Sequence, residues 1–280
     1  MGLSSITSED NPDHFVLADE GWSYAAGMPG MPLLDELMAN AWPPVVVELR
    51  HGWRFRWALG VTRRANSVLA VGSDGDLAEL ISEAEAFYGG LGAPTLIQVT
   101  TASASPNLVP CLEERGYRPT ARTFVERAAT DDVLDRTRAG SFEIETTEAP
   151  TDEWFETYWS VESTRGRADA DIRVCRDTLL APALPTVFGV ARRGSEVLGV
   201  GQLVIERGWA GVQCMATSPV HRRQGVASAV LHTLAEEALR HGAAHMYLAV
   251  MASNIAAMGL YERSGFAPVH EYSYFISHVE

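Results

Sequence analysis

Between residues 45 and 71 apolar and polar side chains alternate, as in Val45-Val46-Val47-Glu48-Leu49 and again in Trp53-Arg54-Phe55-Arg56-Trp57 across His51-Gly52. A period of two predicts half-buried strands joined by a tight turn. Before them a short helix is expected over residues 33–41, stopped by Pro43-Pro44. Residues 76–88 switch to helical spacing, with Leu77, Leu80, Ile81, Ala84 and Phe87 or Tyr88 on one side. A buried strand over 95–100, a helix over 106–115 and a strand over 120–126 complete this set. Residues 128–140 (AATDDVLDRTRAG) are polar and free of aromatics, and read as a linker.

A second set follows. A strand is expected at 142–145, a helix at 151–163 with Thr151, Asp152 and Glu153 as cap and dipole partners, and a helix at 172–180. Strands then cover 186–191, 196–205 and 211–217. The helix at 224–240 buries Val226, Val230, Leu231, Leu234 and Leu239 and ends at His241-Gly242. A strand at 247–251, a helix at 254–263 and a strand at 273–276 close the series. Overlaying the chain on itself at an offset of 149 places Leu112-Glu113-Glu114-Arg115-Gly116-Tyr117-Arg118-Pro119 on Tyr261-Glu262-Arg263-Ser264-Gly265-Phe266-Ala267-Pro268. The helix at Asp76 then falls on the one at Gly225, so two copies of one α/β unit are expected.

Composition narrows the picture. The chain has 280 residues, is 46% hydrophobic and 21% charged, and carries a net charge of −14. That is a globular balance, and the negative charge argues against a nucleic-acid partner, which needs an electropositive surface. Seven of the acids lie in residues 1–40, which contain no arginine, and residues 1–32 read as an acidic extended arm. All 22 basic residues are arginine; a compositional bias of Arg over Lys is the simpler explanation. Cys111, Cys175 and Cys214 have neither disulfide-framework nor metal-ligand spacing, so no metal is expected. No apolar run reaches membrane length and the N-terminus lacks a signal pattern, which predicts a cytoplasmic protein without a membrane partner.

The chemistry concentrates in Met215-Ala216-Thr217-Ser218-Pro219-Val220-His221-Arg222-Arg223-Gln224-Gly225-Val226-Ala227-Ser228. The stretch leaves a strand and opens a long helix, whose free N–H groups and dipole suit an anion. Gly225 permits close backbone approach, and Arg222 and Arg223 add charge. A pyrophosphate is the natural occupant; an ordinary glycine turn with solvated arginines is the plain alternative. This stretch resembles motif A of the GNAT superfamily of acyl-CoA-dependent N-acetyltransferases. Asn254, Tyr261 seven residues later and Gly265-Phe266 match the second half of that pattern, and the resemblance covers about residues 141–280.

The resemblance implies that the backbone of Met215, Ala216 and Thr217 pairs with pantetheine like an added strand. It implies that Arg222, Arg223, Gln224, Gly225, Val226, Ala227 and Ser228 hold the pyrophosphate of acetyl-CoA, and that Asn254 bonds the pantetheine arm. Tyr261 then becomes the general acid for the departing thiolate; a core aromatic is the plain alternative. In several members a glutamate six residues before the Thr217 position acts as base, but this chain has Gly211 there. Glu162, Glu206, His270 and Glu271 are the remaining base candidates, each also readable as a solvated or structural residue. His221 and His232 read as structural or solvent-facing.

In the N-terminal copy the motif becomes Ser73-Asp74-Gly75-Asp76-Leu77-Ala78, Tyr261 maps onto Leu112 and Asn254 onto Ser105. The arginines are gone and two aspartates would repel a pyrophosphate. The expectation is therefore a tandem GNAT-like protein of mixed α/β sheets. Residues 33–127 form a degenerate unit that covers the other half or walls its acceptor pocket, and residues 141–280 form the catalytic unit. The aromatics Trp53, Phe55 and Trp57, like Trp154, Tyr158 and Trp159, serve as core or as cleft lining, and the loop from Glu162 to Asp171 flanks the acceptor. The expected reaction is direct acetyl transfer to a primary amine, of a small molecule in preference to a peptide, in a monomer or homodimer. A coenzyme A-binding sensor is the non-catalytic alternative. A lysine-free surface would also escape acetylation by its own cosubstrate.

Overall fold

The computed structural model describes residues 31–71, 75–102, 104–163, 174–176, 180 and 182–277. The expected arm over residues 1–32 and the expected helix over 172–180 thus lie largely outside the described residues, as does the stretch 164–171.

Helix α1 (Met31–Asn40) leads through Trp42 and the two prolines into the hairpin β1 (Val46–Arg50) and β2 (Trp53–Trp57). Its turn puts both His51 (φ 48°) and Gly52 (φ 85°) in the left-handed region, the backbone that matches strand twist in two-residue hairpins. A ten-residue connection, 58–67, precedes β3 (Val68–Ala70). Then come α2 (Leu77–Gly90), β4 (Leu96–Thr100), α3 (Leu108–Glu114) and β5 (Arg118–Ala129). The second half runs from β6 (Glu143–Thr147) through α5 (Asp152–Ser163), β7 (Thr186–Arg193), β8 (Glu196–Glu206) and β9 (Trp209–Thr217). It ends with α6 (Val226–Arg240), β10 (His245–Met251), α7 (Ile255–Arg263) and β11 (Ala267–Ile276).

Residues 130–136 are a helix, α4 (Thr130–Arg136), where the polar composition predicted a linker. Val133 is buried in the core of the second half, Thr130 Oγ1 donates to Ala243 O at 2.8 Å, and Thr137 Oγ1 lies 3.0 Å from His232 Nδ1. Two apolar side chains, Val133 and the half-buried Leu134, and two well-placed hydroxyls are enough to dock a seven-residue helix whose composition looks like a loop.

The strands form one sheet of eleven, in the order β1-β2-β3-β4-β11-β5-β10-β9-β8-β7-β6. Its centre is an exchange. β11, from the second half, lies between β4 and β5 of the first, while β5 lies between β10 and β11, all antiparallel. Because β5 and β11 occupy equivalent places in the repeat, each half completes its sheet with the other's strand. The division at 128–140 therefore separates two stretches of sequence within a continuous sheet.

Helices α2 and α3 cover the first half of one sheet face and α6, α4 and α7 the second half. On the opposite face α1 packs across β4, β11, β5 and β10 through Leu34, Leu37 and Met38, and α5 packs on β7–β9 through Trp154, Phe155 and Tyr158. Of the residues expected on the buried side of α6, Leu239 is exposed while the other four are buried. Trp53 and Phe55 are core residues under α2. Arg56 is buried too, because the second face of β2 is also covered; it donates to Ser67 O, Ser67 Oγ and Gln98 Oε1 at 2.7–3.0 Å.

Candidate functional site

Strand β9 pairs in parallel with β10 only at residues 209–211 against 245–247. β9 continues to Thr217 along β8, and β10 to Met251 along β5, so the two strands diverge into a wedge. At its closed end Gly211 stands opposite Tyr247. A Cβ on Gly211 would lie 2.5 Å from the Tyr247 ring carbon Cζ and from its hydroxyl. The missing glutamate is thus explained sterically: the phenol of Tyr247 fills the space a side chain at 211 would need. Further along, Cys214 takes φ 52° and the register slips between Gln202↔Gln213 and Val200↔Ala216. This bulge bends β9 away from β10 and leaves one backbone edge of Met215, Ala216 and Thr217 without a strand partner.

Beyond Thr217 the chain makes a short turn at Pro219–His221 and enters α6 through Gly225, whose φ of 89° requires glycine. No side chain caps this helix, and the first intrahelical backbone bond into Gly225 O comes from Ala229. The N–H groups of Val226, Ala227 and Ser228 therefore lack intrahelical acceptors, the arrangement that receives anions. Arg222, Arg223, Gln224 and Gly225 are exposed beside them, and Arg222 and Arg223 form no ion pair among the described residues. His221 pairs with Glu196 at 2.8 Å on the surface, and His232 lies beside Thr137.

A cavity of about 570 Å³ occupies the wedge and passes through the sheet. Asn254, Ala257 and Tyr261 wall it on the α7 side. The Asn254 side chain also caps α7, accepting from Ala257 N at 3.4 Å. Tyr261 is 7% exposed, and its hydroxyl has no hydrogen-bond partner among the described residues. Burial and the nearby Glu126 carboxylate push this phenol well above its ordinary range. On the opposite face the walls come mostly from the first half: Trp42, Thr62, Arg63, Arg64, Thr123 and, from the exchanged strand, Tyr272 and Tyr274. Tyr158 of α5 joins them, while Trp159 packs outside the cavity.

The connection carrying Arg63 and Arg64 is built around Asn66. Its Oδ1 accepts from Ala58 N and Gly60 N at 2.8 and 2.9 Å, and its Nδ2 donates to Val61 O and Thr62 O at 3.1 and 2.7 Å. Thr62 is held at φ 73°, a strained conformation for a β-branched residue. Its hydroxyl accepts from Trp42 Nε1 at 3.1 Å.

The base candidates lie elsewhere. Glu206 accepts from Asn40 Nδ2 and pairs with Arg207. His270 is buried against Asp35 at 2.9 Å, Asp35 in turn accepts from Thr100 Oγ1, and His270 Nδ1 is buried without a partner. Glu271 pairs with Arg122 at 2.7 Å. None of these three lines the cavity, and the side chain of Glu162 lies outside the described residues. Sequence reasoning passed over Glu126 on β5. It is 5% exposed, its Oε2 has no partner, and burial together with the Glu262 charge raises its carboxyl to about 7. Its position in the first half, away from every motif, gave no signal.

Residues 33–275 match the model of the family described as probable histone acetyltransferase Rv0428c C-terminal. An N-acetyltransferase of Bacillus subtilis, YobR, is 28% identical over 87% of this chain and 97% of its own. The bS18-alanine N-acetyltransferase of Escherichia coli K12 is 44% identical over 52 residues, 19% of this chain and 35% of its own. Among solved structures, a GCN5-related N-acetyltransferase from Kribbella flavida superposes with a TM-score of 0.65 at 14% identity, covering 91% of this chain and 97% of that one. A tandem GNAT protein from the clavulanic acid biosynthesis pathway gives 0.57 at 13% identity, covering 71% and 68%. Both share the fold.

Proposed function

The chain belongs to the family of the probable histone acetyltransferase Rv0428c C-terminal, its relatives are N-acetyltransferases of the GNAT type, and on that premise we propose that it transfers acetyl from acetyl-CoA to a primary amine of a small molecule. The observation that carries this reading is the convergence of three features on one cavity. They are the β9–β10 wedge, the uncapped start of α6 beyond its open end, and the unpartnered hydroxyl of Tyr261.

Acetyl-CoA supplies the activated thioester. The N–H groups of Val226 to Ser228, with Arg222 and Arg223, hold its pyrophosphate, and the free edge of Met215–Thr217 and Asn254 hold the pantetheine arm. Transfer is a direct attack by the amine nitrogen, with no covalent enzyme intermediate. Tyr261 stays protonated at every working pH because its phenol is raised, so it offers an O–H to the sulfur as negative charge develops. Full proton transfer from a raised phenol to a thiolate, whose conjugate acid has a pKa of about 8.5, is uphill, so the hydroxyl acts chiefly as a hydrogen-bond donor. No Asp, Glu or His is among the cavity-lining residues described. On this lining the acceptor reacts from its own neutral fraction, so turnover is expected to rise with pH toward the pKa of the amine.

The test is coenzyme A release against a panel of amines, including a lysine-containing histone-tail peptide because the family description names a histone acetyltransferase. Turnover on small amines that is lost in Tyr261→Phe and weakened in Arg222→Ala supports the proposal. Turnover on the peptide alone would move the substrate to a protein amine, and binding without release on any amine would make the protein a coenzyme-binding module. Unchanged acetyl-CoA affinity in Arg222→Ala would remove the pyrophosphate assignment.

A further inference from the structure

The chain carries a net charge of −14, yet among the described residues no aspartate or glutamate lines the cavity, and the charged lining residues are Arg63 and Arg64. The Arg64 guanidinium lies 4.6 Å from the centre of the Trp42 ring. Stacking engages the flat face of a guanidinium and leaves its in-plane N–H donors available. Arg64 is half-buried, and no carboxylate pairs with it among the described residues. A third guanidinium, that of the fully buried Arg56, lies behind the cavity. It is held by neutral groups only and interacts electrostatically with Tyr274, Arg64 and Tyr272. Like charges gathered around a cavity without a counter-ion raise the potential inside it and favour an anion.

That anion is not the pyrophosphate. Arg64 lines a cavity that none of residues 222–228 lines, and the closed end of the wedge lies at Gly211 opposite Tyr247. The start of α6 lies beyond the open end, six strand residues further on, or about 20 Å. The closed end is where the acetyl group and the acceptor meet. The loop presenting Arg64 is also a built one: Asn66 satisfies four of its backbone groups, and Thr62 is held in the left-handed region. Backbone strain that the surrounding bonds hold in place clusters at binding sites and ligand clamps.

We propose that Arg64, seated on Trp42, binds a carboxylate of the acceptor, so that the substrate is an amine bearing a carboxylate, of the amino-acid class. This rests on the acetyl-transfer reading of the same cavity. Net charge alone would favour a cationic acceptor for an acidic protein; the local charge of the cavity favours the opposite. Guanidinium and carboxylate match as a two-pronged hydrogen-bonded pair, and the surrounding Tyr158, Tyr272 and Tyr274 give the rest of the acceptor an aromatic enclosure.

The test uses product analogues, so that binding is read without turnover. The full chain saturated with coenzyme A is titrated calorimetrically with the N-acetyl forms of the twenty amino acids and with their carboxamides. At least one carboxylate should bind roughly tenfold or more tightly than its amide. Arg64→Ala should bring that pair within about threefold while leaving coenzyme A affinity unchanged, and Arg64→Lys should restore part of the preference. Equal binding of every carboxylate and its amide would overturn the proposal, as would a preference that survives in Arg64→Ala. Failure of coenzyme A itself to bind would instead remove the acetyl-transfer reading and this proposal with it.

Discussion

The two halves of this molecule repeat one unit and differ at each place where coenzyme A would touch. At the helix start, Gly225 leaves α6 uncapped, while its counterpart Asp76 closes α2 with its own carboxylate, accepting from Ala78 N at 2.8 Å. At the strand pair, β9 and β10 part after three residues, while β3 and β4 pair over 68–70 and 97–99 and β3 then ends. At the third place, Tyr261 faces a cavity and its counterpart Leu112 is fully buried. A fourth difference runs the other way. The residues after β8 turn in two and continue as β9, whereas the equally long stretch after β2, 58–67 against 207–216 at the same offset, stays a loop before the short β3 and brings Arg64 to the cavity. Four local changes, with no residue inserted between β2 and α2, thus separate a half whose helix start is capped from one whose helix start is open, and turn a strand of the first half into a loop that walls the cavity.

Giving the second half the first half's features should reproduce the loss. Tyr261→Phe, the mildest approach to the Leu112 state, should lower kcat by about 10²- to 10³-fold with acetyl-CoA affinity nearly unchanged, as read by steady-state kinetics and calorimetry. Gly225→Asp should weaken acetyl-CoA binding by about 100-fold, because a carboxylate then occupies the anion site. Gly225→Asn, of the same shape and uncharged, should lose about tenfold, which separates charge from backbone strain. Gly211→Ala should cost about 2 to 3 kcal/mol in urea unfolding through collision with Tyr247, and Tyr247→Leu in the same chain should recover part of it.

The smallest effect is one of pH. The Glu126 carboxyl is raised to about 7 in the folded protein, above the usual value of about 4.3. The folded state therefore holds this proton more tightly than the unfolded chain. The stability it contributes is fully present below about pH 4 and is lost as pH rises through 7. Glu126→Gln should flatten the fall in Tm between pH 5 and 8, with roughly 2–4 °C gained at pH 8 for each kcal/mol recovered.

Much of this site was legible in the sequence because its signals are local. The run from Met215 to Ser228 couples a strand, a left-handed glycine and a helix start within fourteen residues, and the spacing from Asn254 to Tyr261 fixes one helix face. The offset of 149 exposed the repeat for the same reason. The strand exchange was not legible, since trading two equivalent strands leaves every local pattern intact. The burial of Arg56 was not legible either, because period two does not reveal whether a sheet is covered on both sides. Arg64 gave no signal in a loop whose order depends on the four bonds of Asn66, and the consequence of Gly211 required knowing that Tyr247 stands opposite.

The exchange of β5 and β11 also bears on the order in which the molecule can be made. Residues 118–129 emerge from the ribosome early, but the strand that separates them from β4 comes from residues 267–276. The first half's sheet therefore stays open until almost the whole second half has been synthesised, and the second half in turn assembles against a strand already waiting. Contacts this distant along the chain slow folding and tie both halves into one cooperative event. The cavity that Arg64 helps to wall is lined by residues of both halves, so it forms only once both have been made.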